Sequence, residues 1–227
     1  MEVQQIREGL WRWTVPHPAW KPEQGGPSGW DRDVGCLYLE TESGVVLFDP
    51  LAPPEGTEEA DRFWNALDRD VARIGSHVTI LMGNRDHMRS VRAVHDRYAR
   101  DPGCSIRAHA ALMRDLGEAG GQPEPVLPAG IEAHPIEGLD VTERAYYLPA
   151  HEALVIADAL IGTGAGGVRL APPSWAVGGP EGAERYRTRF RESLRVLLTL
   201  PVEMLLVSHG PPVLSGGKDA LRAALDA

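Results

Sequence analysis

The sequence predicts an α/β fold (α+β in some classifications), and three observations carry that prediction. Residues 3–15 and 35–49 hold short runs of β-branched and aromatic residues, the pattern of β-hairpins. Residues 58–73 place Ala60, Phe63, Trp64, Leu67 and Val71, with Ile74 just beyond, at three- and four-residue spacing, which gathers them on one face of a helix. Downstream, apolar runs at 78–81, 153–157 and 204–208 read as buried strands and alternate with helix-like segments.

Taken in order, the elements fill the chain. Between the first hairpins, residues 16–30 are too punctuated by Pro and Gly for regular structure. Loops of this length in a compact domain often bind ligands, and Trp20 and Trp30 either wall a substrate or pack beneath the loop to hold it down. After the strand at 78–81, a helix is expected from Met88 to about Arg100, with Val91, Val94 and Tyr98 on its inner face and His95 beside them. A short strand at 105–108 precedes His109, residues 110–117 look helical, and 118–130 form a Gly/Pro loop. Strands follow at 131–137 and 144–148, with His151 in the turn after them. An Arg-rich helix over 181–199 turns Tyr186, Phe190, Leu194, Leu197 and Leu198 inward, and a short helix over 219–226 closes the chain. No internal repeat is visible. With 227 residues and 43% hydrophobic content, one domain over 1–227 is expected.

Charge and targeting narrow the partners. A net charge of −9, with no Lys/Arg track on any expected element, argues against nucleic acid and against anionic membranes. No apolar run approaches the roughly 20 residues that span a bilayer. Residues 1–7 lack a signal pattern, and Cys36 and Cys104 are too far apart for a metal knuckle, so both are expected as free thiols in a cytoplasmic protein. A small-molecule substrate or ligand is left as the expected partner, with homo-oligomerisation open.

Function points to Asp86-His87, Asp158 and His209-Gly210, each of which follows an apolar strand-like run. Residues at strand ends can converge on one sheet edge, where folds of this class place their sites. Two imidazoles and two carboxylates suit Zn, Mn or Fe. Each residue also has an ordinary structural role open to it. Asp86 or Asn84 can cap the helix expected near Met88, the imidazoles can be hydrogen-bonded in the core, and Asp158 can bond backbone amides.

These residues carry a resemblance to the metallo-β-lactamase superfamily that spans nearly the whole chain. The segments Leu10-Trp11-Arg12-Trp13, Cys36-Leu37-Tyr38-Leu39-Glu40 and Gly44-Val45-Val46-Leu47-Phe48-Asp49-Pro50 look like the family's N-terminal half. The stretch Met82-Gly83-Asn84-Arg85-Asp86-His87 is similar to its H-x-H-x-D-H signature, with Met82 and Asn84 in place of the first two histidines. Leu139, after Gly138, stands where the third histidine falls, Asp158 matches the bridging aspartate and His209 the last histidine. The resemblance implies a four-layer αββα sandwich, two mixed β-sheets packed face to face with helices outside. It also implies a degenerate dinuclear site that has lost the first metal's histidines and kept the second metal's ligands: Asp86, His87, Asp158 and His209. One branch of the family works with a single zinc in that second site, although it uses a cysteine ligand missing here. Dinuclear hydrolysis of the glyoxalase or RNase type, and single-iron sulfur dioxygenase chemistry, need the lost histidines.

Two functions are compatible with this pattern. One is a hydrolase of an ester, thioester, amide or phosphoester with at most one divalent ion, Zn before Mn or Fe, in which Asp86 and Asn84 serve catalysis and Asn84 donates to a developing oxyanion. Arg85 and Arg89 could then attract an anionic substrate. The other is a metal-free, non-catalytic binder of a small molecule or protein. Gly162-Thr163-Gly164-Ala165-Gly166-Gly167 fits G-x-G-x-x-G, but Pro172 and Pro173 leave no helix to hold a pyrophosphate.

Overall fold

The N-terminal strands form an antiparallel meander: β1 (Glu2–Arg7), β2 (Leu10–Pro16), β3 (Asp33–Thr41) and β4 (Gly44–Phe48). The chain then crosses over through α1 (Glu58–Ile74) to β5 (His77–Leu81), parallel to β4, and through α2 (Val91–Tyr98) to β6 (Cys104–Ala108), parallel to β5. After α3 (Ala110–Leu116), the short β7 (Gln122–Pro123) pairs parallel to β6. The computed structural model describes residues 1–75, 77–116, 122–123 and 126–227. Residue 117 and much of the loop expected over 118–130 lie outside them.

Among the described residues the chain divides into two compact units. The first is Met1–Trp20 with Arg32–Ala129, and the second is Lys21–Asp31 with Gly130–Ala227. In the first, Thr57 caps α1 through its hydroxyl to the Ala60 amide, and Glu58, Glu59 and Asp61 complement the positive end of the helix dipole. Phe63, Leu67 and Val71 are buried, and Phe63 lies 5.5 Å from the Trp13 ring of β2. Asp68 ties α1 to α2 by accepting from Arg97 Nε and from the Tyr98 hydroxyl, both at 2.8 Å.

The second unit carries β8 (Glu132–Pro135), β9 (Arg144–Leu148), β10 (Ala153–Gly164), β11 (Gly167–Leu170) and β12 (Met204–His209), in the order β8-β9-β10-β12. β10 runs parallel to β12, and its far half pairs with β11 as a hairpin. Helices α4 (Gly179–Arg185), α5 (Arg191–Val196) and α6 (Gly217–Asp226) complete it. Leu194 of α5, its flanking residues Phe190 and Leu197, and Leu221 and Leu225 of α6 join Leu154, Ile156, Leu160, Leu205 and Val207 in one core.

Several expectations shift in detail. The helix expected at Met88 begins at Val91, because Asn84 caps a separate 3-10 turn over Arg85–His87 and Arg89 then adopts a φ of +25°. The helix expected over 181–199 starts at Gly179 and is interrupted by a π turn over Tyr186–Phe190. That turn lets Tyr186 and Phe190 stack at 4.7 Å while the Tyr186 hydroxyl reaches the Ala171 carbonyl. The Gly162–Gly167 stretch is the β10–β11 hairpin, whose turn residues Ala165 and Gly166 both have positive φ. Among the described residues no helix is long and apolar enough to cross a membrane.

The α1–α2 tie gives a pH-dependent prediction. The hydrogen bond from Arg97 holds the Asp68 carboxyl below the usual carboxylate range. A depressed folded-state pKa stabilises the fold above the unfolded value and loses that contribution as pH falls. Asp68→Asn is expected to cost about 0.5–1 kcal/mol at pH 7 in urea denaturation, a difference that shrinks once the pH drops below about 4.

Candidate functional site

In the first unit the candidate residues hang from the end of β5. Beyond Leu81 the chain passes through the fully buried Met82 and Gly83 to Asn84, whose Oδ1 accepts from the Asp86 amide at 3.0 Å. Asn84 thus caps the turn that carries Asp86 and His87. Asp86 is exposed and His87 is buried.

Asp49, one residue past the end of β4, organises this segment. Phe48 pairs with Leu81, so Asp49 falls beside the β5 exit. Its Oδ1 accepts from the Gly83 amide at 2.7 Å and its Oδ2 from His87 Nδ1 at 2.8 Å. Asp49 itself has a φ of +48°, a left-handed conformation that Asp tolerates better than most residues. On the other side of the ring, Arg89 Nη2 donates to His87 Nε2 at 3.0 Å, while Nη1 donates to the Asp49 carbonyl at 3.1 Å and lies 3.8 Å from Cys36 Sγ. A guanidinium only donates, so Nε2 is the acceptor and Nδ1 carries the proton toward Asp49. Burial pushes the Cys36 thiol up, which keeps it protonated beside this arginine.

In the second unit the expectation that Asp158 ends a strand is corrected. It sits inside β10, in a bulge. β10 and β12 pair in step as far as Ile156 and Val207, and pairing resumes at Ile161 and His209, five residues further on β10 but two on β12. The bulge is held by Glu143, whose side chain is fully buried and whose Oε1 accepts from the Asp158 amide at 2.9 Å and the Ala159 amide at 3.0 Å. The Asp158 carboxylate then turns to His209 Nε2, at 2.9 Å. Gly210, after His209, has a φ of +76°, and a Cβ there would strike the Gly162 carbonyl at 2.2 Å.

Two tryptophans flank the His209 ring, Trp30 at 4.9 Å and Trp175 at 5.8 Å between centroids. Arg169 of β11 donates to the Gly29 carbonyl and ties the Trp30 loop down. The three positions where the resemblance puts histidines are placed as follows: Met82 is fully buried, Leu139 lies in the second unit's core, and Asn84 caps a turn. His134 is on β8 opposite Ala145, 3.5 Å from Glu132, and His151 lies in the turn before β10.

The structure thus brings Asn84, Asp86 and His87 onto one turn, and Asp158 and His209 into contact. Within each unit the donor types suit a divalent metal: an imidazole and a carboxylate on the Asp86-His87 turn, and the Asp158–His209 pair. Asp49 and Glu143, which orient these side chains, were missed as functional positions. For Asp49 the signal was available: it ends the strand parallel to the one leading into Asp86-His87. Glu143 has no local signal, since its partners lie 15 and 16 residues away.

Removing Glu143 leaves two bulge amides without their acceptor. Glu143→Ala is expected to lose about 2–4 kcal/mol in urea denaturation and Glu143→Gln less than half as much, because an amide oxygen can still accept. Equal losses in the two variants would show that the carboxylate does not hold the bulge through these bonds.

No protein-family model and no curated protein matches the chain. Solved structures do match. A metallo-β-lactamase from Pontibacter korlensis superposes with a TM-score of 0.62 at 16% identity, over 99% of this chain and 98% of its own. A metallo-β-lactamase family protein from Thermus thermophilus gives 0.59 at 18%, over 98% and 80%. The metallo-β-lactamase FIM-1 from Pseudomonas aeruginosa, in its mono-zinc form, gives 0.60 at 12%, over 99% and 94%. The chain therefore has the metallo-β-lactamase fold, as the sequence pattern implied.

Proposed function

We propose that this protein is a hydrolase-like member of the metallo-β-lactamase superfamily that holds at most one divalent ion. Zinc is the first choice, with Mn or Fe next, and the ligands are His87, Asp158 and His209, with Asp86 beside His87 as a fourth. The observation that carries the reading is the Asp158–His209 contact, built on a strand bulge that a buried Glu143 holds open. A bulge and a buried carboxylate are costly ways to aim one side chain, and such features cluster at sites. The mono-zinc FIM-1 structure shows that a chain of this fold can be solved with one zinc.

When bound, zinc would act as a Lewis acid and bring the pKa of a water ligand toward neutrality. The chain's own residues do the rest. Asp49 holds His87 in the tautomer whose Nε2 faces away from it, as outer partners of metal-binding histidines do. Glu143 holds Asp158. Trp30 and Trp175 give the His209 side an apolar wall that excludes water and favours an uncharged acyl group of an ester, thioester or amide over a phosphoester. Asn84 reaches an oxyanion only through its amide nitrogen, since its oxygen caps the turn. We place the protein in the cytoplasm, on its acidic charge and its two unpaired thiols, Cys36 and Cys104.

A second reading, a metal-free binder of a small molecule or protein, is favoured by one observation: His87 Nε2 already accepts from Arg89. Elemental analysis of tag-free protein decides between them. About one equivalent of metal is expected, lost in His87→Ala, Asp158→Asn and His209→Ala. Protein that carries no metal and takes up none from Zn, Mn or Fe solutions belongs to the second reading.

A further inference from the structure

We propose that Arg89 is an internal cation that competes with metal for His87, so that loading of this site requires its guanidinium to swing away. The inference rests on the reading of His87 as a ligand. Asp49 accepts a hydrogen bond from the Nδ1–H of His87, which leaves Nε2 as the ring's one lone pair. That lone pair accepts from Arg89 Nη2 at 3.0 Å. It can serve a guanidinium hydrogen or a metal ion, not both at once.

The closed pose is built and also easily released. It is built because Ser90, the next residue, donates its amide to the Pro50 carbonyl at 3.0 Å and accepts from the Ala52 amide at 2.9 Å through its hydroxyl. Those bonds pin the backbone where Arg89 has a φ of +25°, a region that L side chains disfavour. From there Nη1 reaches the Asp49 carbonyl and Nη2 reaches His87. It is releasable because Arg89 Nε is buried with no hydrogen-bond partner, so the pose carries an unsatisfied donor that water would satisfy outside. Nη2 also bonds a neutral ring, where a carboxylate would hold it more strongly.

The consequence is a uniform penalty on every cation at His87. Apparent affinity equals intrinsic affinity multiplied by the fraction of molecules in which Arg89 has left. Ions that bind imidazole weakly, Mn before Zn, fall below useful occupancy first.

The test is zinc affinity, measured by competition with a chromophoric chelator, for the parent, Arg89→Met and Arg89→Gly. Methionine keeps the side-chain length without a donor, and glycine is at ease at this φ, so one of the two retains the fold even if the other does not. Both are expected to bind one zinc about tenfold more tightly than the parent, and the gain is expected to vanish when His87→Ala is added. If the parent takes up one equivalent and the Arg89 variants bind no more tightly, the competition is overturned while the metal reading stands. If the same gain persists with His87→Ala, Arg89 acts by its overall charge and the proposal is equally overturned. If neither parent nor variants bind zinc, the metal reading fails and the proposal with it.

Discussion

The Asp158–His209 contact depends on one constraint: a strand paired in step with its neighbour cannot spare a backbone amide. β10 is bonded to β12 along one edge, and its side chains must alternate across the sheet. To bring Asp158 against His209 the chain inserts extra residues on β10 alone, and their amides lose their ladder partners. Something buried must accept from them. Glu143 does so with a single oxygen, and the fully buried position of its carboxylate is tolerable because that oxygen is bonded twice. The bulge, the glutamate and the Asp158–His209 contact therefore stand or fall together.

The first unit solves a similar problem with Asp49. The β5 exit must leave the sheet without a free Gly83 amide, and His87 must be held in one tautomer. One carboxylate from the parallel neighbour does both, with a separate oxygen for each. In each unit a buried acid thus fixes a loop or bulge backbone and, through it or directly, orients a candidate ligand. That shared device is stronger grounds for a functional reading than any ligand alone, since an isolated buried histidine or aspartate more often serves packing.

What the sequence made legible follows from range. The hairpins, α1 and the strands at 78–81 and 204–208 declare themselves because period and composition are local signals, and α1 even displays its Thr57 cap and Gly75 stop. The helix expected at Met88 started three residues late because Asn84 was available to cap a shorter turn, and the competition between two caps is settled by Ser90 bonding Pro50 and Ala52, 38 to 40 residues away. Asp158 read as a strand end because the unbroken apolar run at 153–157 stops there. A polar residue aimed by a bulge interrupts such a run as well, and the β12 register tells the two apart. The candidate ligands were visible as a family pattern. The residues that orient them were not, because Glu143 and Arg89 act through contacts that no spacing rule encodes.

On the proposed reading, Met82 and Leu139 bear on why the protein would hold no more than one ion. Met82 and Leu139 place sulfur and hydrocarbon where the resemblance puts imidazoles, and both are sealed in the interior. Neither offers a ligand to a hard or borderline cation, and each excludes the water that would otherwise hydrate one. Meanwhile His87 is satisfied by Arg89 and His209 by Asp158, so the remaining donors already have partners within the chain. On the proposed reading, metal binding is an exchange of partners and not the filling of a void. Its free energy is the difference between new ligand bonds and the hydrogen bonds given up. A site that exchanges partners in this way would be stable without an ion, unlike small zinc domains that unfold when stripped, because its donors are already hydrogen-bonded within the chain.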